Sequence, residues 1–249
     1  MELQSPIDIR PDNTTYVPQL PRLEFDFSSD TALAVINTGS PDHEKSVMAT
    51  PASGAGTLTT SGEKWDLAQF HFHTPSEHRL NSEQTPLEMH LVFTDTDEDV
   101  LVVGRWVNYG AANAALDPIF SNLPQTVNDP FVLNSFDLNS LLPASNMQSF
   151  RYSGSFTTEP YAEGVSWINL ADPLYMSSGQ VQAFQKLFPE GDSRSVQPLN
   201  GRVVLTDVPE FATAVPEPQT YAMLLAGLGL IVLVTRQRSA NLRFAGSAA

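Results

Sequence analysis

Cysteine is absent from the 249 residues of this chain. A protein without thiols has no disulfide framework, no cysteine-ligated zinc and no cysteine nucleophile. Any metal site must therefore be built from histidine or carboxylate side chains. The absence leaves the cellular compartment open, because exported proteins also fold without disulfides.

Positive charge is scarce as well. Thirteen lysine and arginine residues stand against 28 aspartate and glutamate residues, which gives a formal net charge of −15. Such a chain repels phosphate backbones, so nucleic acid is excluded as a partner. With 41% hydrophobic and 16% charged residues, the composition is that of a folded protein with a sizeable core.

Long helical patterns are missing between residues 33 and 208. Short β-prone runs such as FHFH, LEMHLVF and VLVVGRWV alternate with Pro, Gly, Asn and Asp, which favours an antiparallel sheet. Segments 111–123 and 179–188 have apolar spacings near three and four, which predicts short helices. The predicted fold class is therefore mainly β with a few short helices. The start, MELQSPIDI, lacks the basic and apolar regions of a signal peptide, so we expect none in this chain.

One unbroken apolar run, 222–234, stands apart from the rest of the chain. A Pro-rich linker over 209–219 precedes it, and three arginines follow it. Thirteen residues are fewer than the roughly 20 of a usual membrane-spanning helix, but the arginines favour an anchor with its basic end inside. We expect 220–249 to form a hydrophobic membrane helix and a basic tail, with 220–235 in the inner membrane. A buried C-terminal helix is the alternative.

Four of the five histidines fall within twenty residues. His71 and His73 occupy positions i and i+2 of a β-prone run, so their side chains share one face of a strand. A second alternating run carries His90, and a neighbouring antiparallel strand could place it opposite the first pair. Three neutral imidazoles leave the fourth position of a tetrahedral zinc ion free for water, as in catalytic zinc sites.

The same pattern also has a purely structural interpretation, because His-x-His pairs occur in cores and on surfaces without any metal. Nearby Gln69, Glu77 and Glu88 favour the metal site, since a metal-bound imidazole needs a carboxylate, amide or carbonyl at its other nitrogen.

Five segments occur in the order typical of alpha carbonic anhydrases: QSPIDI, QFHFHTPSEH, LEMHLVF, GSFTTEP and QPLNGR. Over residues 4–205 the chain resembles this family, and in particular its bacterial variety. The resemblance implies one domain over 1–208, built on a large twisted, mostly antiparallel sheet, with Zn²⁺ as cofactor. It further implies a lyase that converts carbon dioxide reversibly to bicarbonate and a proton by means of zinc-bound hydroxide.

The resemblance also assigns roles to residues at matching positions. The implied zinc ligands are His71, His73 and His90. Gln69 and Glu88 would orient two of these histidines, and His78 looks structural.

Around the implied zinc site, Thr157 would accept a hydrogen bond from the hydroxide and donate one to Glu77, while Thr158 would lie near bicarbonate. The carbon dioxide molecule would rest on an apolar wall formed by Val92, Val102, Phe156, Val165 and Trp167.

Several positions depart from the family pattern. The family's proton-shuttle histidine ends the motif N-x-G-H, whereas the matching stretch here ends in Ser40. We predict His43 as the replacement, because an unperturbed imidazole pKa near 6.5 suits proton transfer; a loop histidine without a role is the alternative. Phe156 replaces a usual leucine and Glu159 a usual proline, so we expect a slower enzyme. The family's segment before QSPIDI is expected to be missing from this domain.

The tail from about Val215 to Arg238 resembles the PEP-CTERM sorting signal. That resemblance implies export in a Gram-negative bacterium, processing by an exosortase near the PEP motif, and a catalytic domain on the periplasmic side or at the cell surface. A permanently attached membrane anchor is the alternative. For the function, the alternatives are a catalytically impaired binding domain at the cell surface and a zinc esterase side activity.

Overall fold

The computed structural model describes residues 2–39 and 46–212 of the chain. These residues form fourteen strands, two short α-helices and three 3-10 helices. The strands are β1 Asp8–Ile9, β2 Thr14–Tyr16, β3 Glu24–Phe27, β4 Thr31–Asn37, β5 Val47–Pro51, β6 Gly56–Thr60, β7 Glu63–His73, β8 Arg79–Leu80, β9 Leu87–Thr94, β10 Val100–Tyr109, β11 Phe131–Phe136, β12 Ser149–Ser155, β13 Glu163–Met176 and β14 Val204–Thr206. The helices are α1 Asp117–Phe120 and α2 Ser178–Gln185, with 3-10 turns at Pro11–Asn13, Leu138–Leu141 and Pro209–Phe211.

Twelve of these strands make one large sheet, in the order β11-β4-β5-β7-β9-β10-β13-β12-β14-β2, while β6 pairs with both β3 and β7. Most neighbours are antiparallel, but β10 and β13 run parallel, as do β14 and β2. A separate short ladder joins β1 and β8 in parallel. The prediction of a mainly β protein with a mostly antiparallel sheet is confirmed, and the sheet is mixed.

The two predicted helices exist but are shorter than their sequence patterns. Only Asp117–Phe120 of segment 111–123 is α-helical, with Pro118 inside its first turn. Helix α2 is capped at Ser177, whose hydroxyl accepts from the Gln180 amide. Such capping satisfies an amide that lacks a helical partner.

The sheet has a hydrophobic cluster on each face. Consecutive residues of a strand point to opposite faces, and Val102 and Val103 of β10 accordingly belong to different clusters. The larger cluster contains Phe70, Phe72 and Leu91. The smaller one lies on the face that carries the clustered histidines.

A β-bulge in β7 determines which face of the sheet the histidines of this strand occupy. Between Leu67 and Gln69 the register with β9 shifts by one residue, so Leu67 pairs with Phe93 while Gln69 pairs with Val92. One extra residue reverses the alternation beyond it. The bulge therefore keeps Leu67 on the larger apolar cluster and turns Gln69 to the opposite face.

The predicted C-terminal hydrophobic helix and the Pro-rich linker before it lie outside the described residues from position 213 onward. Within 2–39 and 46–212, no helix combines the length and the apolar character needed to cross a membrane.

Candidate metal centre

Three buried imidazoles converge at the centre of the sheet. His71 pairs directly with His90 across the antiparallel β7 and β9 ladder, and His73 lies one pleat beyond His71 on the same face. The ring centroids lie 5.0 Å apart for His71 and His73, 5.1 Å for His71 and His90, and 4.8 Å for His73 and His90. Each of the three residues is at most 2% exposed.

The separation of the ring nitrogens fits a tetrahedral metal ion. His71 Nε2 and His90 Nδ1 lie 3.2 Å apart, and each of the three histidines offers a nitrogen within 4.8 Å of the others. Two nitrogens bound at 2.0–2.1 Å to a tetrahedral zinc ion are about 3.3 Å apart. Burial lowers the pKa of His90 to about 3, so its imidazole is neutral and has a lone pair for a metal.

A polar partner orients two of the rings. Gln69 Oε1 lies 2.8 Å from His71 Nδ1, and Glu88 Oε1 lies 3.0 Å from His90 Nε2. Because an amide oxygen and a carboxylate can only accept, these ring nitrogens carry the protons. The opposite nitrogens, His71 Nε2 and His90 Nδ1, are the ones that face each other and would serve as metal ligands.

Glu88 also holds His78, which lies behind the metal cluster. Its oxygens accept from the His78 backbone amide at 2.8 Å and from His78 Nδ1 at 2.7 Å. Although burial alone would raise the pKa of Glu88, His78 and His90 lower it well below its usual value. His78 Nε2 continues the chain to the Tyr152 hydroxyl at 2.7 Å, which donates to Ser5 Oγ.

Glu77 is buried beside His73 and His90. Its Oε2 is 3.6 Å from His73 Nε2 and 4.0 Å from His90 Nδ1, while its Oε1 accepts from the Arg194 amide at 2.8 Å. Burial raises the pKa of Glu77, and His73, the Arg194 amide and the Thr157 side-chain hydrogen bond oppose that rise. A cation among the histidines would further favour the carboxylate.

A small cavity of about 50 Å³ opens on the metal cluster. Its walls combine site residues with apolar side chains: Gln69, His71, His90, Val92, Val102, Phe156, Thr157, Thr158 and Trp167. Phe156 is 37% exposed at its edge. A cavity of this size admits a few atoms, far less than the 300–1,000 Å³ typical of sites for drug-sized ligands.

The structure brings together most residues that the sequence singled out. Four of the five predicted wall residues line the cavity, whereas Val165 packs within the apolar cluster behind it without lining it. His43 belongs to segment 40–45, outside the described residues, as does Ser40.

Several residues that contribute to the site could not be identified from the sequence alone. Arg194 acts on Glu77 through its backbone amide, a group that every residue except proline has. Gly104 lies opposite His90, and a Cβ there would come within 2.7 Å of Asn169 Nδ2 and 3.1 Å of Glu88 Oε1. Tyr152 could have been suspected from its position shortly before Thr157, but its link to His78 depends on the pairing of distant strands.

Comparisons with known proteins agree with this geometry. The family model described as eukaryotic-type carbonic anhydrase matches residues 1–208, and the PEP-CTERM protein-sorting motif matches residues 214–239. A carbonic anhydrase of Klebsiella pneumoniae is 36% identical over 203 residues, which cover 81% of this chain and 79% of that protein. One of Pectobacterium carotovorum is 35% identical over 204 residues, with the same coverage of 81% and 79%.

Among solved structures, an alpha carbonic anhydrase of Thermovibrio ammonificans in complex with the inhibitor sulfanilamide is similar to this chain. The TM-score is 0.75 at 33% identity, over 82% of this chain and 86% of that one.

Proposed function

The chain belongs to the eukaryotic-type, or alpha, carbonic anhydrase family, and we propose that its domain over residues 1–208 hydrates carbon dioxide reversibly, with zinc as cofactor. The observation that carries this proposal is the group of three buried imidazoles, two of whose nitrogens lie 3.2 Å apart and face each other. Neutral nitrogen donors at this spacing match a tetrahedral zinc ion with three protein ligands.

In this proposal His71, His73 and His90 hold the zinc ion. When bound, zinc lowers the pKa of a coordinated water molecule to about 7, as it does in carbonic anhydrases. Gln69 and Glu88 keep two of the rings in the orientation and protonation state that binding requires. His78 serves Glu88 as a structural partner, because both its ring nitrogens are already engaged.

Thr157 and Glu77 would orient the attacking oxygen. An ionised Glu77 can only accept hydrogen bonds, so the Thr157 hydroxyl would donate a hydrogen bond to Glu77 and present its lone pairs toward the reacting water. Thr158, which lines the same cavity, is proposed to contact bicarbonate. This arrangement contributes by positioning rather than by proton abstraction.

Carbon dioxide would rest against Val92, Val102, Phe156 and Trp167, the apolar part of the cavity wall. The small cavity favours this substrate over bulky esters, so we place ester hydrolysis second, as a side activity of the same centre. A catalytically impaired binding domain is disfavoured by the presence of all three histidines together with Glu77 and Thr157.

We propose His43 as the group that passes protons to solvent. The other four histidines are each at most 2% exposed and surround the metal cluster, so none of them offers an imidazole to bulk water. His43→Ala should lower the hydration rate in weakly buffered solution, and added imidazole should restore it. An equal response of the parent enzyme and the variant to imidazole would assign the shuttle elsewhere.

The principal test is metal content together with stopped-flow hydration of carbon dioxide. Zinc should bind at one equivalent, chelation should abolish the hydration activity, and zinc alone should restore it. Esterase activity measured on the same preparation separates the two reactions. A protein that binds one zinc ion yet fails to hydrate carbon dioxide would favour the binding-domain alternative.

We propose that the tail directs this domain out of the cytoplasm. The motif at 214–239 indicates export and exosortase processing in Gram-negative bacteria, and an inner-membrane helix over 220–235 would hold the protein until it is cut. Intact-mass analysis of the protein from an exosortase-containing host should find a C-terminus near the PEP motif at 216–218. A full-length mass in the membrane fraction would instead favour a permanent anchor.

A further inference from the structure

A second, larger concavity lies next to the metal cavity. It has a volume of about 440 Å³. Ser166, Trp167 and Ile168 of β13 line it, and Trp167 lines the metal cavity as well. The other walls of this groove include the β6–β7 hairpin and the segment before β3, represented by Trp65 and Leu20.

The indole of Trp65 distinguishes this groove from an ordinary surface depression. Two of the three tryptophans of the chain donate hydrogen bonds: Trp106 to the His78 carbonyl at 3.3 Å and Trp167 to the Ser155 carbonyl at 2.9 Å. Trp65, only 6% exposed, has no acceptor for its Nε1 proton in the part of the chain that the structure describes.

The Thr60 hydroxyl is a second buried donor without a hydrogen-bond partner in the described part of the chain. Thr60 is 7% exposed, lines the groove, and finds no hydrogen-bond partner among residues 2–39 and 46–212. Buried polar groups in folded proteins nearly always have a partner, whether protein, water or ligand. Two buried donors without a partner in the lining of one groove therefore point to an acceptor that comes from outside the fold.

A cation completes the polar side of the groove. Arg151, on β12, is half-buried there, and its Nε donates to Ser149 Oγ at 2.9 Å. Burial lowers the pKa of Arg151 and the nearby Asp207 raises it, but a guanidinium stays charged at neutral pH. The acidic residue of the lining, Glu63, is exposed, so water and salt screen its charge.

We propose that this groove binds a small organic carboxylate with an apolar body. A carboxylate accepts two parallel hydrogen bonds from a guanidinium and could accept from the indole and hydroxyl donors as well. Leu101, Ile168 and Leu205 supply the apolar wall, and the volume lies within the range of known small-molecule sites. A single cation matches one negative charge, which favours a monoanion over phosphate esters.

The three indole N–H signals in a ¹H–¹⁵N spectrum of the zinc-loaded full chain provide the test. Trp65→Phe identifies the signal of Trp65. Titration with phenylacetate should shift that signal saturably, whereas neutral phenylacetamide should leave it unchanged. Arg151→Gln should weaken phenylacetate binding about tenfold or more, while Lys64→Gln, which removes a charge from the neighbouring position outside the groove, should bind like the parent.

Trp167 lines both cavities, so its signal would report a carboxylate bound in either one, and the dependence of binding on Arg151 is what separates the groove from the metal. An unshifted Trp65 signal, an equal response to phenylacetamide, or unchanged binding in Arg151→Gln would each overturn the proposal. So would a shift of Trp65 with protein concentration alone, since the groove would then be a contact between copies of the chain. The signal of Trp106, which lines neither cavity, verifies that each variant is folded.

Discussion

The two faces of β7 and β9 are both buried, yet they are built on different physical rules. On one face Phe70, Phe72 and Leu91 pack into the larger hydrophobic cluster. On the other face His71 and His90 each meet one specified atom of a neighbour, Gln69 Oε1 or Glu88 Oε1. Apolar packing is non-directional and tolerates exchanges of similar volume, whereas a hydrogen bond depends on both distance and angle.

The two faces should therefore respond differently to substitution. A substitution on the apolar face should alter the free energy of unfolding and spare the chemistry. A substitution on the histidine face should alter metal binding and rate more than stability. Adjacent residues of one strand point to opposite faces, so substitutions at neighbouring positions test this difference with the backbone position nearly constant.

The largest effect is expected for His90→Ala. Loss of one of three protein ligands should remove zinc and lower carbon dioxide hydration by more than about a thousandfold, since the metal generates the nucleophile. Stopped-flow hydration and zinc analysis measure the two effects. Met89→Leu, on the neighbouring position and the apolar face, is the matched control and should retain both zinc and rate. Undiminished activity in His90→Ala would refute the assigned centre.

Leu91→Ala should produce the opposite result on the other face. Truncating this fully buried side chain should cost about 2–5 kcal/mol in the free energy of unfolding, through lost burial and a cavity. Urea unfolding of the zinc-free protein measures the cost. The hydration rate per folded molecule should remain near that of the parent, and a parallel collapse of the rate would show that the two faces are not separable.

Glu88→Gln probes the intermediate case of a residue that touches the ligand but not the metal. The amide keeps the shape of the side chain but loses the charge that His78 and His90 share, so zinc affinity should fall about 10- to 100-fold. Competition with a chromophoric chelator gives the affinity. Gln69→Ala, which removes a single partner of His71, should lie at the lower end of this range. Affinities equal to the parent in both variants would contradict an orienting role.

Asp192, a buried carboxyl near the metal centre, should make the free energy of unfolding depend on pH. An apolar residue does not titrate and has no such effect. Burial raises the pKa of Asp192 from 3.8 to about 7, although its Oδ1 accepts from the Thr74 amide at 2.6 Å. Because the pKa of Asp192 is higher in the folded protein than in the unfolded chain, protonation of Asp192 stabilises the folded state. This stabilisation is complete below pH 3.8 and is lost as pH rises through 7.

Asp192→Asn keeps the acceptor for the Thr74 amide without the charge. At pH 8 we expect the zinc-free variant to be more stable than the parent by on the order of 1–3 kcal/mol, with the difference vanishing near pH 4. Urea unfolding across this pH range measures it. A difference that is constant with pH would show that Asp192 does not titrate in this window.

Much of the metal centre could be predicted from local patterns. The period of two in a strand puts His71 and His73 on one face whatever the rest of the fold does. Frequent turn residues and short β-prone runs likewise predicted a mainly β protein. The residue types near the histidines indicated which side chains could support them. The two helices were predicted in place but too long, because apolar spacing does not say where hydrogen bonding ends.

Neighbours in the chain thus fix which residues share a strand face and which chemistry they offer, so the sequence is enough to predict both. Strand pairing in the folded protein fixed the rest: the bulge before Gln69 turns the histidines away from the larger core, His90 lies opposite His71, and the Arg194 amide reaches Glu77 across 117 positions. It also decided that Trp65 and Arg151 share a groove. Strand pairing joins distant segments through backbone groups common to nearly all residues, so no local pattern specifies those contacts.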